Sequence, residues 1–208
     1  KAWNALHKMG SVAEKELMKM FLSKNSRHRA RALWLMGKSK GRSAHFVDVA
    51  SKDKNPDIRI LALRLARQTG VPLINIIEKM TSDPSAKVRR ECAVSIAHLR
   101  GDKKSKIWAS LAVNHKAGDR WSLEALGIAA ANDWDACLAS WLELVGDDWN
   151  SDKGKDIIWR SRAKGSSLLI AKILKDPMTL EKDRPRYFRA LDFQDTVQRD
   201  EALIKILE

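Results

Sequence analysis

Arginines recur along the first 120 residues of this chain at a nearly constant interval. The four members, spaced 30, 30 and 31 residues apart, are Arg29, Arg59, Arg89 and Arg120. Six residues before each stands a side chain that accepts hydrogen bonds, in order Ser23, Asp53, Asp83 and Asn114. A fixed period of about 30 to 47 residues is typical of proteins built from helical hairpins, because one hairpin cannot bury its apolar face alone. The sequence therefore predicts an all-α chain of stacked repeats.

The repeat extends beyond the arginines in two units. Residues 53–59 (DKNPDIR) align with residues 83–89 (DPSAKVR), and Ala62 then aligns with Cys92. We expect the acceptor in the turn before a helix and the arginine in the first turns of that helix. A guanidinium holds several donors in a rigid fork, so it can bond the acceptor of its own repeat and that of the next. The predicted structural ladder consists of Asp53, Arg59, Asp83, Arg89, Asn114 and Arg120.

An aspartate in the inter-helix turn with an arginine six residues later resembles the pattern of the HEAT-repeat family. The resemblance implies a right-handed α-solenoid of about seven HEAT-like helical hairpins. It is good in the repeats of Arg59 and Arg89, whereas Ser23 and Asn114 replace the acid with an uncharged acceptor.

Apolar periodicity, with breaks at Gly, Pro, Asp and Asn, divides the chain into helix pairs and shows no strand pattern. The predicted pairs cover residues 2–24, 26–51, 56–81, 84–114, 119–145, 152–175 and 184–207. No apolar run approaches the ~18 residues of a membrane span, so we expect none. The chain opens at Lys1 without methionine, and its last segment ends in several apolar residues. We therefore expect residues 1–208 to be a single HEAT-like repeat domain and a fragment of a larger multidomain protein.

Positive charge is concentrated in the first part of the chain. Residues 1–118 contain 25 Lys and Arg against 9 Asp and Glu, whereas residues 119–208 contain 14 against 17 and, with the stretch just before them, most of the eight tryptophans. A basic stripe would attract polyanions. Its candidate members are Arg64, Arg67, Arg90, Lys103 and Lys104, with Arg27, Arg31, Lys38, Lys40, Arg42, Arg100 and Lys106. The alternative is a solvated basic surface, or one that faces an acidic domain of the same protein.

Motifs for catalysis, cofactors or metals are incomplete. Gly37-Lys38-Ser39 lacks the earlier glycine of a phosphate-binding loop, since that position is Ala32. The run from Asp148 to Asp152 lacks the bidentate glutamate of a calcium loop, because the twelfth position is Trp159. The five histidines stand singly, and Cys92 occupies a small apolar position of the repeat. We expect no catalytic residue, no cofactor and no metal.

Residues 118–162 carry a second pattern. It consists of Gly118-Asp119-Arg120-Trp121 with Gly127, then Trp134-Asp135, Trp149-Asn150, and Asp156-Ile-Ile-Trp159-Arg160-Ser-Arg162. This pattern resembles the HEAT segment of large exported planctomycete-type dehydrogenases, in which a β-propeller precedes the repeats and a cytochrome c module often follows. The resemblance implies a spacer or docking module in an exported or periplasmic protein. It implies no redox role for any residue here, because neither propeller strands nor a haem motif is present.

These patterns favour a non-catalytic scaffold that binds a protein partner or neighbouring domains of its own chain. The alternative is nucleic-acid binding through the basic repeats, including the activity of DNA glycosylases for alkylated bases, some of which are built from similar HEAT-like repeats.

Overall fold

The protein is all-helical in the part of the chain that this computed structural model describes, residues 2–39, 41–194 and 196–208. Its α-helices are α1 Ala2–Met9, α2 Glu14–Phe21, α3 Ser26–Gly37, α4 Ser43–Ser51, α5 Pro56–Thr69, α6 Ile74–Met80, α7 Ala86–Ser95, α8 Asp102–Val113, α9 Arg120–Ala130, α10 Trp134–Val145, α11 Asp152–Arg160, α12 Ser166–Lys175, α13 Arg184–Leu191 and α14 Val197–Leu207. The all-α prediction is confirmed. Lys40, assigned to the basic stripe, lies outside the described residues.

Local sequence signals explain where several helices begin and end. The Asn55 side chain accepts a hydrogen bond from the backbone N–H of Asp57, and Pro56 occupies the first position of α5. Asn25 and Asp119 cap α3 and α9 in the same way. Asparagine and aspartate suit this place because their side chains satisfy amides that have no partner inside the helix. α5 ends at Gly70, whose φ of 73° is readily available only to glycine.

The chain divides into two compact units, residues 1–95 and residues 96–208. In the first unit, α2 packs on α3, α4 packs on α5, and α5 also packs on α7. Apolar residues recur along α5 at helical spacing. Ile58, Ala62 and Leu65 are therefore buried, while Arg64 and Arg67 face solvent. This helical periodicity gives each helix one packed side and one solvated side.

Neighbouring helices also pack together in the second unit. There α8 packs against α10, α12 packs against α14, and α11 packs against both α9 and α13. The indole of Trp108, in α8, is fully buried and donates a hydrogen bond of 2.9 Å to the main-chain oxygen of Leu126 in α9. A buried tryptophan thus fills volume without leaving its N–H unsatisfied.

A glycine sets the start of α11. A Cβ atom at Gly154 would lie 2.1 Å from the main-chain oxygen of Trp149, which belongs to the short 3-10 helix Gly146–Asn150 before α11. Backbone cannot give way as a side-chain end can, so any larger residue must displace this helix junction.

We therefore predict that Gly154→Ala lowers the free energy of unfolding by about 1 to 3 kcal/mol, because the added methyl overpacks a fixed backbone. Gly165→Ala is the matched control, since nothing lies within 4 Å of its Cβ position and its φ of −69° suits alanine. Urea titration followed by circular dichroism should show a shifted midpoint for Gly154→Ala alone. Equal midpoints for the two variants would contradict the assignment.

Candidate functional site

Arg59 joins the turn before α5 to the turn before α7. Its Nε and Nη2 atoms donate to the two carboxylate oxygens of Asp83 at 2.8 and 2.7 Å, and its Nη1 donates to the main-chain oxygen of Asp53 at 2.7 Å. The side chains of Arg59 and Asp83 are only 12% and 7% exposed. The hydrogen bond to Asp83 raises the pKa of Arg59 above its ordinary value. We call this arrangement an arginine bridge: the arginine binds a main-chain oxygen before its own helix and a carboxylate before the second helix after it.

A similar bridge occurs at Arg29. Arg29 donates through Nη2 to the Asp53 carboxylate and through Nε to the main-chain oxygen of Phe21 at 2.8 Å. The other carboxylate oxygen of Asp53 accepts the amide N–H of Asn55 at 2.8 Å, as Asp83 accepts that of Ser85. Aspartate therefore fits the turn because it closes the turn locally and still binds an arginine 24 residues earlier in the chain.

The structure specifies how each arginine divides its bonds between the two expected partners. Arg59 and Arg89 bind their own aspartates, Asp53 and Asp83, through the main-chain oxygen and not through the carboxylate, at 2.7 and 2.6 Å. The carboxylates of Asp53 and Asp83 each bind an arginine 24 residues earlier in the chain. The six-residue spacing holds the guanidinium over the turn, while the charge pair spans 24 residues, as in Arg59 with Asp83.

The predicted rung of Asn114 and Arg120 does not form. The Asn114 amide donates to the main-chain oxygen of Ser110 at 2.9 Å, while the Arg120 side chain is 82% exposed and lies 3.7 Å from Glu124. The reason is the position of the arginine within its helix. Arg29, Arg59 and Arg89 are each the fourth residue of their helix, but α9 begins at Arg120 itself, so its fourth residue is Leu123.

The candidate basic residues have different surroundings. In the first unit, Arg67 is exposed, Arg90 is half-buried, and the half-exposed Arg64 donates to Glu91 at 2.7 Å. In the second unit Lys103 is exposed. Lys104 is a correction, because its side chain is 1% exposed and its ammonium lies 2.6 Å from Asp133. A buried lysine is retained only with such a partner, so Lys104 is part of the packing and not of a basic surface.

Charge within the units is also unequal. Residues 1–95 contain 20 Lys and Arg against 8 Asp and Glu, whereas residues 96–208 contain 19 against 18. The excess positive charge of the chain therefore belongs almost entirely to the first unit.

Asp156 is a buried acid of the second unit with three partners. Its Oδ2 accepts the backbone N–H of Gly118 at 2.8 Å and lies 3.2 Å from His115 Nε2, while its Oδ1 accepts from Arg186 at 2.5 Å. Burial by itself raises the pKa of Asp156, but the bonds from His115, Gly118 and Arg186 outweigh it and lower that pKa to about 2. The turn before α9 is thus held by an acid from α11, and α13 supplies the arginine.

A second contact in this unit explains a glycine inside α9. The guanidinium of Arg160 passes so close to α9 that a Cβ atom at Gly127 would lie 2.2 Å from it. Arg160 there approaches Glu124 at 3.4 Å and lies over the ring of Trp134. Gly127 therefore allows an arginine from α11 to cross the neighbouring helix.

The tryptophans and cysteines serve mainly in packing. Trp108 and Trp141 are buried, whereas Trp121 on α9 is 74% exposed. Cys92 is fully buried, in agreement with its prediction as a core residue, and burial raises the pKa of its thiol to about 12. Such a thiol carries little thiolate at neutral pH and is a poor nucleophile.

An apolar groove lies elsewhere in the second unit. It has a volume of about 830 Å³ and is lined by leucines of α10 and α12, with lysines of α12 and α14 at its edge. Sequence patterns do not predict this groove, because each of its leucines is also part of an ordinary amphipathic helix pattern.

Among the residues that the structure describes, no group of three or more His, Cys, Asp or Glu side chains is placed to hold a metal ion. No helix in these same ranges is long and apolar enough to cross a membrane.

Comparison of the chain with protein-family models, with curated proteins and with solved structures finds no match in any of the three.

We predict that Arg59→Ala lowers the free energy of unfolding by about 3 kcal/mol, because it leaves a buried carboxylate without its bidentate partner. Arg89→Ala is the matched comparison and should cost about 1 kcal/mol, since it removes a bond to a main-chain oxygen while Asp83 keeps Arg59. Urea unfolding of both variants measures the difference. A larger loss for Arg89→Ala would contradict the observed direction of the arginine bridges.

We also predict a pH dependence from Asp156. Its folded-state pKa lies below the ordinary value of 3.8, at about 2, so its contribution is complete above pH 4 and is lost as the pH falls to about 2. Asp156→Asn should cost roughly 2 kcal/mol at pH 7, and its difference from the wild type should shrink between pH 4 and 2. Unfolding by urea at a series of pH values measures this. Asp152→Asn, an exposed acid of the same helix, should show a much smaller effect; a difference that stays constant with pH would contradict the prediction.

Proposed function

We propose that this chain is a right-handed α-solenoid of HEAT-like helical hairpins that acts as a non-catalytic scaffold or protein-interaction module. The observation that carries the proposal is the arginine bridge, which repeats with the same kinds of atoms at Arg29 and Arg59. A contact that recurs between successive hairpins is what a repeat protein requires, because each repeat is stabilised by its neighbours.

The hydrogen-bond partners of Asp156 support a non-catalytic assignment. Asp156 is buried, and its two oxygens are engaged with His115, Gly118 and Arg186. A carboxylate held in this way stabilises the fold and has no oxygen directed at a substrate. Arg186, which binds Asp156, also lies over the Trp159 ring, so the acid and this tryptophan share one internal partner.

The second resemblance, over residues 118–162, supports a docking or spacer role in an exported multidomain protein. Its residues form contacts within one unit: Gly127 admits Arg160, Gly118 binds Asp156, and Asp135 accepts the amide of Lys164.

Nucleic-acid binding is a second candidate because of the charge of the first unit. Its net charge of +12 follows from 20 basic and 8 acidic side chains, and Arg27, Arg31 and Arg67 are exposed. Exposed arginines attract phosphates and release counterions when they bind.

Two measurements test the proposal. Small-angle scattering should give a radius of gyration well above the value of about 17 Å expected for a compact globule of this length. Fluorescence anisotropy with duplex DNA should show no binding that falls steeply with salt. Affinity for DNA at physiological salt that is lost in the combined variant Arg27→Glu, Arg31→Glu, Arg67→Glu would instead establish the second candidate. Base release from alkylated DNA would overturn the non-catalytic assignment.

A further inference from the structure

The groove in the second unit has the form of a helix-binding site. Leu138 and Leu142 stand one turn apart on α10 and form one side, while Leu168 and Leu169 of α12 form the other. Leu138 is buried at the bottom, and the remaining three are half-buried. Its volume of about 830 Å³ lies in the range of specific binding pockets.

The charges at the edge of the groove are mostly positive. Lys172, Lys175 and Lys205 line it together with Asp176 and Glu208. The carboxylate of Asp176 is already partnered, because it accepts from Asn150 at 3.0 Å and from the N–H of Met178 at 2.9 Å, and lies 3.5 Å from Lys155. Among the charged side chains that line the groove, three lysines therefore outnumber the one remaining acid, Glu208.

One of these lysines is held in place. Lys175 Nζ donates to the main-chain oxygen of Lys205 at 2.9 Å, which fixes its ammonium between α12 and α14. Lys172 and Lys205 are exposed. A ligand in the groove would thus meet leucines together with three lysines, one of which is held in place.

We propose that this groove binds an acidic amphipathic α-helix of a partner protein, with leucine-like side chains inserted between α10 and α12 and glutamates or aspartates opposite the three lysines. The proposal rests on the proposed function and specifies which face of the module is used. An apolar stripe laid into a groove, read at i, i+4 and i+7, is a general mode of protein recognition. The lysines add specificity by favouring acidic partners.

The test uses two labelled helical peptides of about 16 residues, long enough to be partly helical alone. Both carry the same leucine stripe, one flanked by glutamates and the other by lysines. Fluorescence anisotropy with the whole chain should show binding of the acidic peptide and at least tenfold weaker binding of the basic one. Equal affinity for the two peptides would overturn the proposal.

Variants then locate the site. Leu142→Asp should weaken the acidic peptide by about tenfold or more, since burying a leucine contributes at least that factor. Leu144→Asp is the control, because Leu144 lies on the same helix, is 58% exposed and does not line the groove. The double variant Lys172→Glu, Lys205→Glu tests the charges without altering the leucines, and Lys153→Glu, an exposed lysine of α11, is its control. Unchanged binding in both groove variants would overturn the proposal.

Other occupants of the groove are separated in the same assay. Tighter competition by anionic lipid vesicles than by the acidic peptide would assign it to a membrane, and self-association abolished by Leu142→Asp would assign it to a second copy of this chain; either result overturns the proposal. A peptide-display screen with the whole chain distinguishes failure of the groove proposal from failure of the proposed protein-interaction function. Binders that are insensitive to Leu142→Asp would refute the groove and retain the interaction module, whereas a screen without binders would refute both.

Discussion

The first unit depends on one interaction, a guanidinium that connects the turn before its own helix to the turn before the second helix after it. An arginine can do this because its donors point in fixed directions, so one side chain reaches the main-chain oxygen behind it and the carboxylate ahead of it. Arg59 satisfies both Asp53 and Asp83 in this way. Because both partners lie in turns that precede helices, the bridge also fixes where α5 and α7 begin. Apolar faces such as that of Ile58 and Ala62 are then directed towards the neighbouring helices, and burial supplies most of the stabilisation.

The second unit also connects a turn to a helix through a buried charged side chain. There the acid, Asp156, lies in a helix, and the turn before α9 provides hydrogen-bond donors from Gly118 and His115. Arg186 adds the cation from the following helix pair. Both solutions keep a buried charge fully paired, which is the condition for placing it between packed helices. They differ in register: the helix that contains Arg120 starts three residues too late for an arginine bridge.

These contacts also distinguish the charged side chains that stabilise the fold from the side chains that remain accessible to a partner. Arg59, Asp83, Lys104 and Asp156 are committed to partners within their own units. The exposed arginines of the first unit, and the leucine groove with its lysines in the second, are surfaces that these internal contacts leave accessible. They connect the fold to the proposed role, because a partner can be recognised only through side chains that the fold leaves accessible.

The sequence by itself determined the helices and the position of the first bridges. Helical periodicity and the residues Asn55, Pro56 and Gly70 act over a few neighbours, so they are legible without a structure. The alignment of Arg59 with Arg89 located the turns, but it did not show which arginine binds which carboxylate. That pairing depends on distances in the folded structure. Tertiary structure alone decided that Lys104 is buried, that Arg120 is exposed, and that Leu142 borders a groove. Each of these depends on which helices pack against each other. A spacing of 30 or 31 residues does not show whether the arginine falls at the fourth position of its helix, as Arg59 does, or at the first, as Arg120 does.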